Sequence, residues 1–229
     1  CAKEFRFSRE AQDEFTQESY RRALSAQKEG KFADEIVPVE VPQRKGDPKR
    51  VDLDDEPARG DVAKMGTLKP AFAKDGTITA ANASKINDGA SAVVLASERA
   101  VKEMGLQPLA RIVGYGSAAQ APEWFTTAPA VAIEETTKRL GVAKSEIDLY
   151  EINEAFAVVA LACAQKCELD LARVNVHGGA VALGHPIGAS GARILTTWVH
   201  GLRSRSAKRG LASICIGGGE AIARVVERA

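Results

Sequence analysis

The strongest constraint on the fold is an alternation of strand-like and helix-like runs from about residue 76 onward, punctuated by glycine. Ser91–Ser97 (SAVVLAS) reads as a buried strand, Glu98–Met104 as a helix ending at Gly105, and Leu109–Gly114 as a strand. Ala128–Leu140 reads as a helix stopped by Gly141, Ile147–Ile152 as a strand, and Asn153 as the cap of a helix running to about Lys166. Arg173–Val176 reads as a strand and Ser190–Leu202 as a helix. Leu211–Ile216 and Ala221–Glu227 read as strands joined by Gly217–Gly219. Such alternation predicts an α/β layered fold, with the terminal strand pair as a hairpin edge.

The first part of the chain differs. Residues 1–70 hold 29 charged side chains, against 32 in the much longer remainder, so the core is expected after residue 70. Ser8 caps a surface helix that runs to Glu29 and stops at Gly30, with Phe15, Tyr20, Ala23 and Leu24 as a thin apolar face. Ile36–Val41 is a short strand candidate. Gln43–Gly60 reads as a charged loop.

Composition excludes several classes. A net charge of +1 argues against a protein built to bind nucleic acid. The longest apolar run, Ala155–Ala164, is too short to cross a bilayer, and the charged Cys1–Glu10 opening is no signal peptide. Four irregularly spaced cysteines (Cys1, Cys163, Cys167, Cys215) form neither a disulfide framework nor a paired zinc motif, so a reducing cytoplasm is expected. Position 1 is not methionine, which predicts a piece of something longer.

Three side chains share one situation. Asn153 sits at a strand end, His185 lies in the glycine-rich loop Gly178–Gly191 before a helix, and Cys215 closes a strand before Gly217-Gly218-Gly219. Ligands gather at strand ends in layered α/β folds. Histidine serves as base or charged donor, cysteine as nucleophile or proton shuttle, and asparagine as water holder or oxyanion donor. Taken singly, each has a plain structural reading: a turn histidine, a core cysteine, an N-cap asparagine.

Together these segments resemble the C-terminal signatures of the thiolases. They are Asn153-Glu154-Ala155-Phe156, then Asn175 through Arg193 with Gly184-His185-Pro186 at its centre, then Cys215-Ile216-Gly217-Gly218-Gly219. Asn82–Ala90 is similar to the family's acyl-CoA-binding segment and Met65–Phe72 to the lip of its pantetheine tunnel. The resemblance implies a layered αβαβα fold. It would give residues 1–86 as a partial loop (CoA-binding) domain, 87–107 as the last strand and helix of an N-terminal core half, and 108–229 as a complete C-terminal core half.

It also implies acyl-CoA C-acetyltransferase chemistry, the reversible condensation of two acetyl-CoA or the cleavage of a 3-ketoacyl-CoA by CoA. His185 is then activator and oxyanion donor, Cys215 the acid/base, Asn153 the water holder, and Gly217 N–H part of a second oxyanion hole. Ser84 contacts pantetheine, while Phe72, Ala155 and Phe156 line its tunnel. Coenzyme A is substrate, and neither metal nor other cofactor is expected. The partners implied are acyl-CoA and a second or further copy of the intact enzyme, as homodimer or homotetramer.

One departure is large. The family's acyl-accepting cysteine matches none of the four present, so the chain alone is expected to be inactive, its counterpart segment deleted or supplied as a separate piece. A non-catalytic half-enzyme or CoA-binding fragment is the alternative. Cys163 and Cys167, one helical turn apart, read as core filling. Lys85 is unusual for the family; its amine could approach a CoA phosphate, but a solvated lysine is the favoured reading. Gly114-Tyr115-Gly116-Ser117-Ala118-Ala119 fits a dinucleotide fingerprint, but no helix follows at once. A ketoacyl synthase is disfavoured by the Cys-x-Gly-Gly-Gly ending. Arg203, Arg205, Lys208 and Arg209 read as a solvated connection. Asp148 and Glu151, on opposite faces of a strand, read as surface and motif residues rather than a metal pair.

Overall fold

Helix α1, Arg9–Lys28, begins where Ser8 Oγ accepts the Ala11 N–H at 3.1 Å. The structure, a computed structural model, describes residues 1–229. Tyr20, Ala23 and Ala26 are buried on α1, but Leu24 is 41% exposed, so the inward face is narrower than the sequence suggests. Polar Gln12, Asp13, Thr16 and Ser19 complete that face.

Strand β1, Val39–Val41, pairs antiparallel with β2, Lys49–Val51, and both are exposed. The expected Gln43–Gly60 loop therefore contains β2 and a short helix α2, Glu56–Arg59. Gly46, at φ +83°, lies in the turn that brings Val51 back to Val39.

The expected strand at Ser91–Ser97 does not form. No strand lies beside it to take up its backbone groups, and Val94 is 94% exposed. Helix α3, Glu98–Met104, does form: Ser97 Oγ accepts the Ala100 N–H and Gly105 ends the helix in the left-handed region. None of its residues is buried.

The remaining chain builds one four-stranded sheet. Its strands are β3 (Ala110–Ala119), β4 (Leu149–Ile152), β5 (Arg209–Cys215) and β6 (Glu220–Arg228), in the order β3-β6-β5-β4. β4 and β5 run parallel, and β6 is antiparallel to both its neighbours. β5 and β6 are the expected hairpin. β3 runs past Gly114 and Gly116, so the apparent fingerprint lies inside a strand and opens no helix.

Helices α4 (Ala128–Leu140) and α5 (Ala157–Cys167) cover one face through Ile133, Val159, Cys163, Cys167, Ile152, Leu211 and Val225. A four-residue helix α6, Ala180–Leu183, precedes α7, Ser190–Ser204. α7 covers the other face through Ile194, Trp198 and Leu202 on Leu149, Ala212 and Val226. Three layers thus form around one sheet. α1 lies against α5 and α6.

The expected strand at Arg173–Val176 shrinks to a single bridge between Tyr150 and Val174. Asn175 ends it. Its backbone turns to φ +48°, and its side-chain amide takes over the ladder, accepting the Ile152 N–H and donating to Ile152 O, both at 2.8 Å.

Candidate active site

Parallel pairing sets Ile152 opposite Ser213, so β4 and β5 release the chain at the same end of the sheet. Asn153 follows β4 and gives its N–H to Ser213 O at 3.0 Å; Cys215 ends β5. Such carboxyl ends are where crevices form in open α/β sheets.

His185 arrives on the glycine-rich loop after α6. Gly184 turns the chain at φ +95°, a conformation that suits glycine, and an added Cβ there would fall 2.3 Å from Asn87 Oδ1. His185 N–H then donates to Lys85 O at 2.9 Å. Its Nε2 lies 3.3 Å from Asn153 Nδ2, and its Nδ1 lies 2.6 Å from Ser190 Oγ.

This network accommodates the Nδ1–H tautomer. With Ser190 Oγ–H turned to Pro186 O (2.9 Å), the hydroxyl accepts from His185 Nδ1–H. Nε2 is left with a lone pair, which accepts from the Asn153 amide. Burial, and then the charge of Arg193, lower the His185 pKa below 6.5, so the ring is neutral at pH 7 and able to take a proton. Burial moves the Cys215 thiol the other way, above its ordinary value, so it stays protonated. That state suits an acid better than a resting nucleophile. Asn153 is 1% exposed and its Oδ1 has no partner.

Asn153 does not cap α5, which starts only at Ala157 behind Phe156. Glu154 is the cause. Its carboxylate is fully buried and accepts from Ser19 Oγ (2.9 Å), Asn175 Nδ2 (2.7 Å) and Val181 N–H (3.1 Å). Burial raises its pKa while these donors oppose the rise. Gly179 gives it room: a Cβ there would lie 2.2 Å from the Glu154 carboxyl carbon. The chain beyond Glu154 is pinned in extended form, with Phe156 bridged to Ala83, Ser84 N–H donating to Ala155 O (3.1 Å) and Ala157 N–H donating to Asn82 O (2.8 Å).

The residues expected to hold CoA therefore meet. Ser84 lies beside Ala155, and the Phe72 ring meets Phe156 edge-on at 6.2 Å. Phe72 is largely exposed. Gly217 lies in the exposed β5–β6 turn, two residues past Cys215, with open space around its α-carbon.

Several other residues are placed differently from expectation. Lys85 is only partly exposed, and its Nζ donates to three main-chain carbonyls. Glu151 is not a surface residue but is 3% exposed, and burial pushes its pKa up to about 8. Arg209 leaves the solvated connection to join β5, where it pairs with Glu227 and Glu146. Asp148 accepts the Lys208 and Arg209 N–H groups, both at 2.8 Å. Cys163 and Cys167 lie in the core as expected. Ser190 is the contact the sequence did not single out. Its only signal is a hydroxyl residue opening α7, five residues after the histidine.

Comparison with known proteins matches residues 1–99 to the N-terminal domain of thiolase and residues 106–228 to its C-terminal domain. The chain belongs to the thiolase family. A probable acetyl-CoA acetyltransferase of Dictyostelium discoideum is 54% identical over 228 residues, covering 100% of this chain and 55% of that protein. The crystal structure of the Bacillus anthracis acetyl-CoA acetyltransferase superposes at TM-score 0.96 with 43% identity, covering 100% of this chain and 58% of that one. An Ascaris suum thiolase solved in complex with coenzyme A gives TM-score 0.90 at 45% identity, again over 100% and 58%. This thiolase chain thus spans somewhat over half the length of the relatives it matches. Its fold is the α/β thiolase type. No helix is long and apolar enough to cross a membrane.

Proposed function

We propose that this chain carries the enolate-stabilising and proton-transfer half of an acyl-CoA C-acetyltransferase site. The observation that carries the reading is the His185–Asn153 pair, 3.3 Å apart, with the imidazole anchored through Nδ1. A lone pair on Nε2 takes a thiol proton and so activates an acyl-accepting cysteine. Once protonated, the same Nε2–H donates to the thioester oxygen as negative charge develops there. Asn153 holds a water that donates to the same oxygen.

In cleavage, the Cys215 thiol gives its proton to the α-carbon of the departing enolate. In condensation, the Cys215 thiol first gives its proton to the CoA thiolate released on acylation, and the Cys215 thiolate so formed removes a proton from the α-carbon of the second acetyl-CoA. Gly217 N–H serves the second oxyanion. Ser84 contacts pantetheine, and Phe72, Ala155 and Phe156 wall its tunnel. The acyl-CoA is substrate for a cytoplasmic enzyme of fatty-acid metabolism that assembles as a homodimer or homotetramer.

The acyl-accepting thiol corresponds to none of the four cysteines here, so this chain by itself forms no covalent acyl-enzyme. Intact mass after incubation with acetyl-CoA tests that: the expected result is no adduct, and a kinetically competent acetyl group on any cysteine overturns it. Calorimetry with CoA tests the binding wall. The same missing match favours a second reading, a half-enzyme that binds CoA without chemistry. Solvent deuterium separates the two: it is expected to enter the acetyl-CoA methyl group on this chain and not on Cys215→Ala. Binding without that exchange leaves the second reading standing.

A further inference from the structure

Lys85 is the residue that neither the motif chemistry nor the surface explains. Its ammonium donates to Ala81 O (3.2 Å), Ala83 O (3.4 Å) and Val181 O (3.1 Å), and lies 5.4 Å from the centre of the Tyr20 ring. No carboxylate pairs with it at salt-bridge distance. Three carbonyl dipoles and a ring face are a complete shell for an ammonium, which has three donors and no acceptor. Tyr20 is itself fixed, 2% exposed on α1.

The shell joins three pieces of chain. Ala81 and Ala83 belong to the segment that carries Ser84, Val181 belongs to α6, and Tyr20 belongs to α1. The carbonyl of Lys85 closes the figure by accepting the His185 N–H at 2.9 Å. One residue thus ties the Ser84 segment to the loop that presents His185. Carbonyls shielded from water and left without a donor are costly, and these three are part-buried, so the cation and the loop geometry are coupled.

Resting on the proposed acyl-CoA chemistry, we propose that Lys85 is a positioning residue, an internal cation that holds His185 and Ser84 in fixed relation. It touches no reacting atom. Burial lowers its pKa, while Glu56 and Glu154 act to keep it charged.

Amide hydrogen exchange on the full 229-residue chain tests this. In Lys85→Ala, the His185 amide is expected to exchange about tenfold faster or more, while amides of Leu211 and Val225 in the β5–β6 ladder keep their protection. Ammonium chloride at about 0.1 M should restore the protection, and tetramethylammonium chloride at equal ionic strength should not, because only the first fits the carbonyl shell and both screen equally. Lys85→Met removes the charge and fills the space, so it should lose protection without rescue.

Unchanged His185 exchange in Lys85→Ala, loss spread evenly over the ladder, or equal rescue by both salts overturns the proposal. Should the variants fail to fold, the unsubstituted chain still decides: one lysine ammonium must show nuclear Overhauser contacts to the Tyr20 ring, and their absence sinks the cage. CoA calorimetry is read beside these. Failure of the unsubstituted chain to bind CoA overturns the proposed function, while the exchange data still judge the lock.

Discussion

The imidazole of His185 is held at both nitrogens, and Ser190 accommodates the proton on Nδ1. Ser190→Ala removes the acceptor for Nδ1–H, so the two tautomers should mix, as seen in the ring 15N shifts. In an enzyme that contains this chain, turnover should fall about 10- to 100-fold with little change in KM, the usual scale for losing a group that orients a working histidine. Ser190→Thr should keep most activity. Cys215→Ser should slow condensation far more than acylation, and equal slowing in a two-step assay would contradict its acid/base role. His185, Asn153 and Cys215 were legible because each stands in a fixed local phrase of the sequence. Ser190 and Lys85 were not. A serine at a helix start reads as a cap, and the partners of Lys85 are carbonyls, which every residue has. One of those carbonyls, that of Val181, lies 96 residues away.

At the scale of elements, the strands and helices that pack on one another were legible from pattern. α4 formed with the expected bounds, and α7 and the β5–β6 hairpin within two residues of theirs. The misread elements are those decided by a partner. Ser91–Ser97 has strand composition and no neighbouring strand; Arg173–Val176 is cut short by an asparagine side chain; α5 starts late because Glu154 is drawn into a polar pocket. Composition carries no information about any of these three contacts. The contrast is measurable. Val94→Lys, at a 94% exposed position, should change stability by no more than about 0.5 kcal/mol, while Leu211→Ala, fully buried between α4 and the sheet, should cost about 2–5 kcal/mol. Urea unfolding of the two variants checks both.

For the whole molecule, the balance of buried ionisable groups sets how stability follows pH. Glu151 faces Arg193, which favours its charged form, and Glu154 and Glu35, which oppose it; burial dominates and brings its pKa to about 8. Between its ordinary value of 4.5 and about 8, the folded chain keeps a proton on Glu151 that the unfolded chain has lost. Raising the pH through that window therefore removes stability. Glu35, pushed up to about 7 by burial, contributes with the same sign. Glu151→Gln should flatten the decline, so its urea midpoint relative to the parent should rise steadily between about pH 5 and about pH 8. A constant difference would contradict the assignment. The bare stretch before α3 has a separate consequence. Ser91-Ala92-Val93-Val94-Leu95-Ala96-Ser97 carries no charge and no proline, and its β-branched and leucine side chains are open to solvent in the native fold. Such a heptad can stack in register with its own copies without any unfolding of the sheet. The purified chain should then be lost by self-assembly at a rate that rises steeply with its concentration. Its working lifetime in solution should then depend on these seven residues, and a single charged replacement there should lengthen it while leaving the melting curve where it was.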